Sequence, residues 1–534
     1  MSDASASAEH VEVLKAQHER QARTLTARLR PAVMLAACTL AVAICVAGCS
    51  SNDVVQQLQR QQQRSRLRNE FSKAELAMLN ETWPMELLED PSRQALEVHT
   101  PEEFLRAVLV ADHLDNVVIF PHGTSAFNLT WEETAPPDMQ QLLAGRRNGA
   151  DVAQGLLDEP GMLDRYDWRL DVSGGQHMDF SSGHCSDESS DSACEPTQEE
   201  ASEFRQLLAN ILAEVEKGAL EPQELYFAEV AHRRAVARPG VSGEKRASIF
   251  SLDFKDVLGR YGLWNLHWAN TDAGLFVGGR FSGTALHVDR SLWSDVGKNF
   301  QGYKLLAVWP VGSVGAEALA ASGSNYQELF RPPLDAERLR ILRTAAKVTL
   351  LRPEDVYLFS GGVPHCVLCI SEDELCLGSY ESGVTLHPRH VQLWKHKGIP
   401  NMKCDHVHCI GDDAGAGEDP ALEADMHDEF ARVVQNLNAL AKQVQRGGPT
   451  ATRATSASSL PMPARWEGIL RNLDADAGLQ ARLKEHLSQA VEVLMRNKAV
   501  RAHMPKAVLR AAGWDWRMYN PSAEDEYRGS SVLS

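Results

Sequence analysis

GLFVGGRFSGTALHVD, residues 274–289, is the stretch on which the fold turns. An apolar run, Leu275 to Val277, breaks at Gly278-Gly279, resumes at Ala285-Leu286 and ends in His287-Val288-Asp289. Strand side chains alternate faces, so His287 and Asp289 project to one side and Val288 to the other. Similar short runs follow: YKLLAVWPV (303–311), KVTLL (347–351), DVYLF (355–359), HCVLCI (365–370) and LCLGSY (375–380). Many short strands divided by glycine and proline turns point to a mainly β sandwich or barrel between Leu275 and Val384.

Chemistry enters with His365, in PEDVYLFSGGVPHCVLCI (353–370). Two histidines and one carboxylate make a facial set of ligands that leaves three positions open on Fe(II), enough for a chelating 2-oxo acid and then dioxygen. A lone His-Xaa-Asp triplet is weak, because a satisfied structural histidine is the commoner case. Its neighbours strengthen it. Thr284 lies three residues before His287, and Lys304 sits in the apolar run NFQGYKLLAVWP (299–310). A lysine in such a strand is expensive unless an anion neutralises it, and a distal carboxylate needs a buried cation and a hydroxyl donor. Gly361, Gly362 and Pro364 supply the tight turn that brings His365 onto the same site.

Taken together, GGRFSGT, the His287-Val288-Asp289 triplet, the GYK motif with Lys304, PEDVYLF and the Pro364-His365 pair resemble the JmjC family of Fe(II)- and 2-oxoglutarate-dependent oxygenases, closest to its hydroxylase-type members. The resemblance covers roughly 275–384, with weaker likeness from Asn116. It implies a double-stranded β-helix (jelly-roll, cupin-like) core with flanking helices. By resemblance His287, Asp289 and His365 bind iron, and Thr284 and Lys304 hold 2-oxoglutarate. The implied activity is a dioxygenase hydroxylating a protein side chain or other substrate, with release of succinate and CO2. Many members place an asparagine between triplet and lysine; here SLWSDVGKN (291–299) offers Asp295 or Asn299 instead. No histone-reader module accompanies the domain, so a histone-type lysine demethylase is the weaker alternative. A membrane-anchored metal-binding pseudo-enzyme or scaffold is the other.

The chain outside this core carries less chemistry. With 534 residues, 43% hydrophobic and 24% charged, it has room for one sizeable domain plus appended segments. A net charge of −18 lacks the basic face that nucleic-acid binders use, so direct nucleic-acid binding is not expected. Between Pro31 and Asn52 no residue is charged, and AVMLAACTLAVAICVAGC predicts a single-pass membrane anchor over 31–50. VAGCSS around Cys49 also has a lipobox pattern, but about thirty residues precede the apolar run. Arginines flank the run on both sides, leaving the side of the catalytic domain open.

A polar segment (1–30) precedes this anchor and a charged stalk (51–72) follows it. The oxygenase domain is expected over 73–400, with an exposed acidic insertion at about 173–200. A linker and helix (411–445), a flexible linker (446–463) and a helical C-terminal region (464–534) complete the chain, and the helices suggest a homodimer. Cys366 and Cys369 form a CxxC on one predicted strand, where they would face opposite sides. Buried small hydrophobes are therefore the commoner reading for them, and Cys404, His406, His408 and Cys409 are the better zinc fragment.

Overall fold

In the computed structural model the described residues are 73–159, 161–172, 176–180, 198–232, 265–266, 273–287, 289, 293–310, 313–322, 330–345, 347–385, 387–395, 434, 437–438, 441, 464–496 and 498–514. Contacts divide the chain into Met1–Leu76, of which only 73–76 are described, and Ala77–Ser534, to which everything below refers.

Strands in chain order are β1 (Leu96–Glu97), β2 (Val118–Phe120), β3 (Tyr166–Val172), β4 (Gln176–Phe180), β5 (Leu225–His232), β6 (Asn265–Leu266), β7 (Ala273–Gly278), β8 (Trp293–Gln301), β9 (Lys304–Val308), β10 (Lys347–Leu351), β11 (Val356–Ser360), β12 (His365–Cys369) and β13 (Cys376–Thr385). A large sheet runs β1-β2-β11-β8-β13-β7-β5-β3-β4, with β6 added to β13. It is mixed, because β1 and β2 are parallel and the other pairs antiparallel. A small sheet, β10-β9-β12, faces it. This mixed sheet with helices is consistent with the cupin-type fold expected from the sequence.

Inward-pointing residues of both sheets meet in one core: Ile119, Tyr357 and Phe359 from the large sheet, Leu306, Val308 and Val367 from the small one. Being covered on both sides, β9, β11 and β12 are buried at every position, which is why they read as continuous apolar runs. Helix α1 (Pro101–Val110) starts at a capping box between Thr100 and Glu103 and ends at Ala111 in the left-handed region. Its Phe104 and Val108 cover the outer face through Val118, Val356 and Leu358. Helices α2 (Gly149–Asp158) and α3 (Gln198–Glu216) cover the other half, packing Leu156 and Leu208 on Trp168, Phe227 and Leu275.

Several expectations change. The single-pass membrane location is withdrawn: among the described residues no helix is long and apolar enough to cross a membrane, and residues 31–50 lie outside them. Within the stretch 173–200, residues 176–180 form β4 and pair with β3, and 173–175 and 181–197 lie outside the described residues. The homodimer has no support. The C-terminal helices α5 (Ala464–Ala475) and α6 (Ala477–Met495) spend apolar faces on their own chain, α6 burying Leu487, Val491 and Leu494 in a cluster with Val391 of helix α4 (Pro388–Lys395). Cys404, His406, His408 and Cys409 lie outside the described residues.

Two histidines tie this outer layer to pH. Burial pushes the pKa of His113 down to about 3, and that of His387 likewise down to about 3. His113 is fully enclosed, its Nε2 2.7 Å from Ser294 Oγ. Both stay neutral in the fold, whereas the unfolded chain takes up protons below pH ~6.5. Stability present above that pH is therefore lost as pH falls from ~6.5 towards 3, by roughly 2 kcal/mol per histidine at pH 5. Urea midpoints at pH 7.5 and pH 5 measure this, and His113→Gln should remove about half the loss; equal midpoints for the wild-type protein would contradict it.

Candidate metal centre

Residues 281–289 form an irregular edge beside β12. Phe281 N donates to Cys369 O, Cys369 N to Ser282 O and Val367 N to Thr284 O, after which His287 and His365 exchange both backbone hydrogen bonds. Thr284 thus lies opposite Val367 and His287 opposite His365, three residues against two. That extra residue is a bulge, and it lets Thr284 and His287 face the same cavity although an odd spacing in a regular strand would separate them. Gly283 makes the close approach possible: its φ is +153°, and a Cβ there would lie 2.1 Å from Val367 O.

The structure brings His287, Asp289 and His365 together with their ligand atoms within 4.8 Å of one another. Asp289 Oδ1 is 3.4 Å from His287 Nε2, and Asp289 Oδ2 is 3.4 Å from His365 Nε2. Backbone bonding fixes each of them. Asp289 N donates to Gly361 O at 2.9 Å, so the glycine turn anticipated from the sequence anchors the carboxylate as well as His365. The Nδ1 of His287 lies 2.7 Å from Ala285 O and that of His365 2.8 Å from Val363 O. A carbonyl only accepts, so both Nδ1 atoms carry protons and both Nε2 lone pairs turn inward, as metal ligation requires. Phe359 packs edge-on against His365 with ring centroids 4.8 Å apart and holds the ring plane.

Electrostatics bind the three into a unit. Burial alone would raise the Asp289 pKa, but His287 and His365 hold its carboxyl far below the usual range. Burial disfavours a charged His287, yet Asp289 outweighs it and the pKa rises. Burial and the charge of His287 together lower His365. The result is an anionic carboxylate between two imidazoles, a donor set suited to a divalent cation.

Between the sheets Lys304 is fully buried, and among the described residues its Nζ has no hydrogen-bond partner. Its place is built in: a Cβ on Gly378 would come within 2.4 Å of that nitrogen. Tyr226 lies in the same buried layer as Cys369, the residue opposite Lys304 in the β9–β12 register, and its hydroxyl approaches Thr284 without completing a hydrogen bond. A buried cation and two hydroxyls thus belong to the same inter-sheet core, and among the described residues no carboxylate is hydrogen-bonded to that cation, which fits a small dicarboxylate. Tyr357 and Tyr380 share a 2.6 Å hydroxyl contact on the adjoining wall, with Gly297 leaving room for the Tyr357 ring.

Sequence reasoning missed the tyrosines. Tyr226 belongs to LYFAEVAH, which reads as an ordinary core strand far upstream, and only the β5–β7 pairing carries it to the cavity. Of the two residues considered for the asparagine position, Asn299 is structural, its amide donating to Gly302 O and Arg352 O at 2.6 and 2.9 Å. Asp295 is buried too, and it is the one whose charge reaches His287 and Tyr380.

A triad and an anion-receptive cavity share one core. With that geometry in place, known proteins add little independent weight. No family model matches the chain, and no curated protein matches. Solved structures similar to it include "X-Ray structure of E. coli ycfD", at 12% identity over 74% of this chain and 72% of that one, with a TM-score of 0.28. The "Escherichia coli ribosomal oxygenase YcfD" matches at 11% identity over the same shares, with a TM-score of 0.27. A third structure, of YcfD "in complex with Cobalt and 2-oxoglutarate", matches at 12% identity over 71% and 68%, with a TM-score of 0.25. Likenesses this shallow carry no argument, and the reading below stands on the residues.

Proposed function

We propose that the protein is an Fe(II)- and 2-oxoglutarate-dependent oxygenase of the JmjC hydroxylase type, acting on a protein side chain. The observation carrying this reading is the buried Nζ of Lys304, without a hydrogen-bond partner among the described residues, on β9 next to the strand that carries His365 of the His287, Asp289 and His365 cluster. A metal-binding domain without a co-substrate has no use for that cation, which costs folding free energy wherever an anion does not compensate it.

His287, Asp289 and His365 would hold the metal on one face, and Lys304, Thr284 and Tyr226 would hold the distal carboxylate of the 2-oxo acid. When both are bound, their chemistry with dioxygen supplies oxidation of a substrate C–H bond, with release of succinate and CO2. The chain's own contribution is orientation and exclusion of water. The Ala285 and Val363 carbonyls keep both Nε2 atoms aimed inward. Phe359 and Tyr357, with Tyr380 packed against them, line the inter-sheet core beside the triad, whereas the His287 and Asp289 side chains are 26% and 28% exposed. A substrate would therefore enter on the side of that pair, while His365 remains behind it at 3%.

Succinate release decides the matter without a known substrate. Protein purified without oxygen, supplied with Fe(II), 2-oxoglutarate and ascorbate, should release succinate on admission of air. Absence of both turnover and 2-oxoglutarate binding in metal-loaded protein would refute the reading.

A further inference from the structure

Cys369 closes β12 and Cys376 opens β13, and both thiols are free and fully buried. They pack together with Tyr226 and Ala228 in a small layer of their own and are hydrogen-bonded to each other. Both border Lys304. Cys369 is its cross-strand partner in the β9–β12 register, and Cys376 Sγ donates to the carbonyl of the preceding Tyr303 at 3.2 Å. Space has been left for the second thiol: Gly302 has φ +75°, and a Cβ there would sit 2.8 Å from Cys376 Sγ. Two buried thiols packed together beside a buried cation form a combination that core packing alone does not call for.

We propose that Cys369 and Cys376 are a redox-sensitive dithiol that hydrogen peroxide converts to a disulfide, and that this lowers the affinity of the Lys304 end of the cavity for a dicarboxylate. The second half rests on the oxygenase reading; the first does not.

Lys304 acts on both sulfurs and favours their thiolates. Burial pushes the Cys369 thiol well up, whereas at Cys376 burial is outweighed by the hydrogen bond from Cys369 and by Lys304, and the thiol is lowered. Cys376 is thus the attacking sulfur. Its thiolate attacks one peroxide oxygen; the O–O bond breaks, the sulfur becomes a sulfenic acid, and the departing hydroxide takes a proton to leave as water. The Cys369 sulfur then attacks the sulfenyl sulfur, the S–O bond breaks, and oxygen leaves as a second water carrying the Cys369 proton. Two thiols and one peroxide give one disulfide and two waters. The cross-link removes the hydrogen bond to Tyr303 O and ties β12 to β13 next to Lys304.

The test uses the full chain, reduced and then treated with stoichiometric peroxide, alkylated, and cut with a protease specific for glutamate. Glu372 and Glu374 lie between the two cysteines, so a disulfide leaves the two halves joined and lighter by two hydrogens. That linked fragment, lost on treatment with dithiothreitol, is the expected result. Affinity for 2-oxoglutarate, titrated with Mn(II) present, should fall about tenfold on oxidation and recover on reduction. The Cys369→Ser and Cys376→Ser proteins should keep their affinity under peroxide, as Cys366→Ser should not, since that thiol faces away from the pair. Two freely alkylated cysteines after peroxide, or a sulfinic acid without a cross-link, would overturn the dithiol. A disulfide with unchanged affinity would overturn its effect on the cavity. Reduced protein that binds no 2-oxoglutarate would instead defeat the oxygenase reading, while the linked fragment still decided the chemistry of the pair.

Discussion

Lys304→Met is expected to make the protein more stable and at the same time unable to hold 2-oxoglutarate. The two effects have one origin. In the free protein the Lys304 Nζ is sealed from water with no hydrogen-bond partner, an arrangement that costs about 1–3 kcal/mol, and methionine of similar shape removes that cost. With a dicarboxylate bound, the same nitrogen becomes half of a buried charged hydrogen bond. Truncating one partner of such a pair costs about 2–5 kcal/mol, which is thirtyfold or more in affinity. Urea denaturation and an anaerobic titration with Mn(II) present read the two halves separately. A methionine variant that binds 2-oxoglutarate as tightly as the parent would remove Lys304 from the site. Gly378→Val should reproduce the binding loss with lysine still in place, because its side chain claims the space of that nitrogen.

His287→Ala should abolish metal-dependent turnover and weaken binding of Fe(II) or Co(II) more than a hundredfold. Outer partners of metal-bound histidines are commonly worth about 10–100-fold, and loss of a ligand itself must exceed that. The change also removes the imidazole that, with His365, holds the Asp289 carboxyl far down. Equilibrium dialysis with Co(II) and the succinate assay measure the two losses. A variant retaining full turnover would end the assignment of His287 as a ligand.

The legible part of this site is the part that local rules control. His287 and Asp289 share a face because strands alternate, and the glycines before His365 announce a turn; both depend on a few consecutive residues. Lys304 stood out through the conflict between its charge and its apolar neighbours. What sequence hid comes from register. Thr284 was named from the sequence as a hydroxyl donor, but the bulge opposite Cys366 that sets it on the same side as His287 is foretold by no residue pattern. Tyr226 and Tyr380 arrive from β5 and β13, strands whose alternation marks them as core and says nothing of which core. The C-terminal helices show the same limit. Their apolar stripes were visible, but a stripe does not name its partner, and part of it is covered by Val391 of the same chain.

β12 also works as a measuring rod. It carries His365 at one end and, four residues on, the position that pairs with Lys304. Four residues of extended chain span about 13 Å, and hydrogen bonds to β9 on one side and to 281–287 on the other prevent that span from stretching. The interval along the strand between His365 and the residue opposite Lys304 is thus set by backbone geometry rather than by side-chain choice. Exchanging side chains therefore cannot lengthen or shorten the separation of those two strand positions; only a change of register in the ladder would do so.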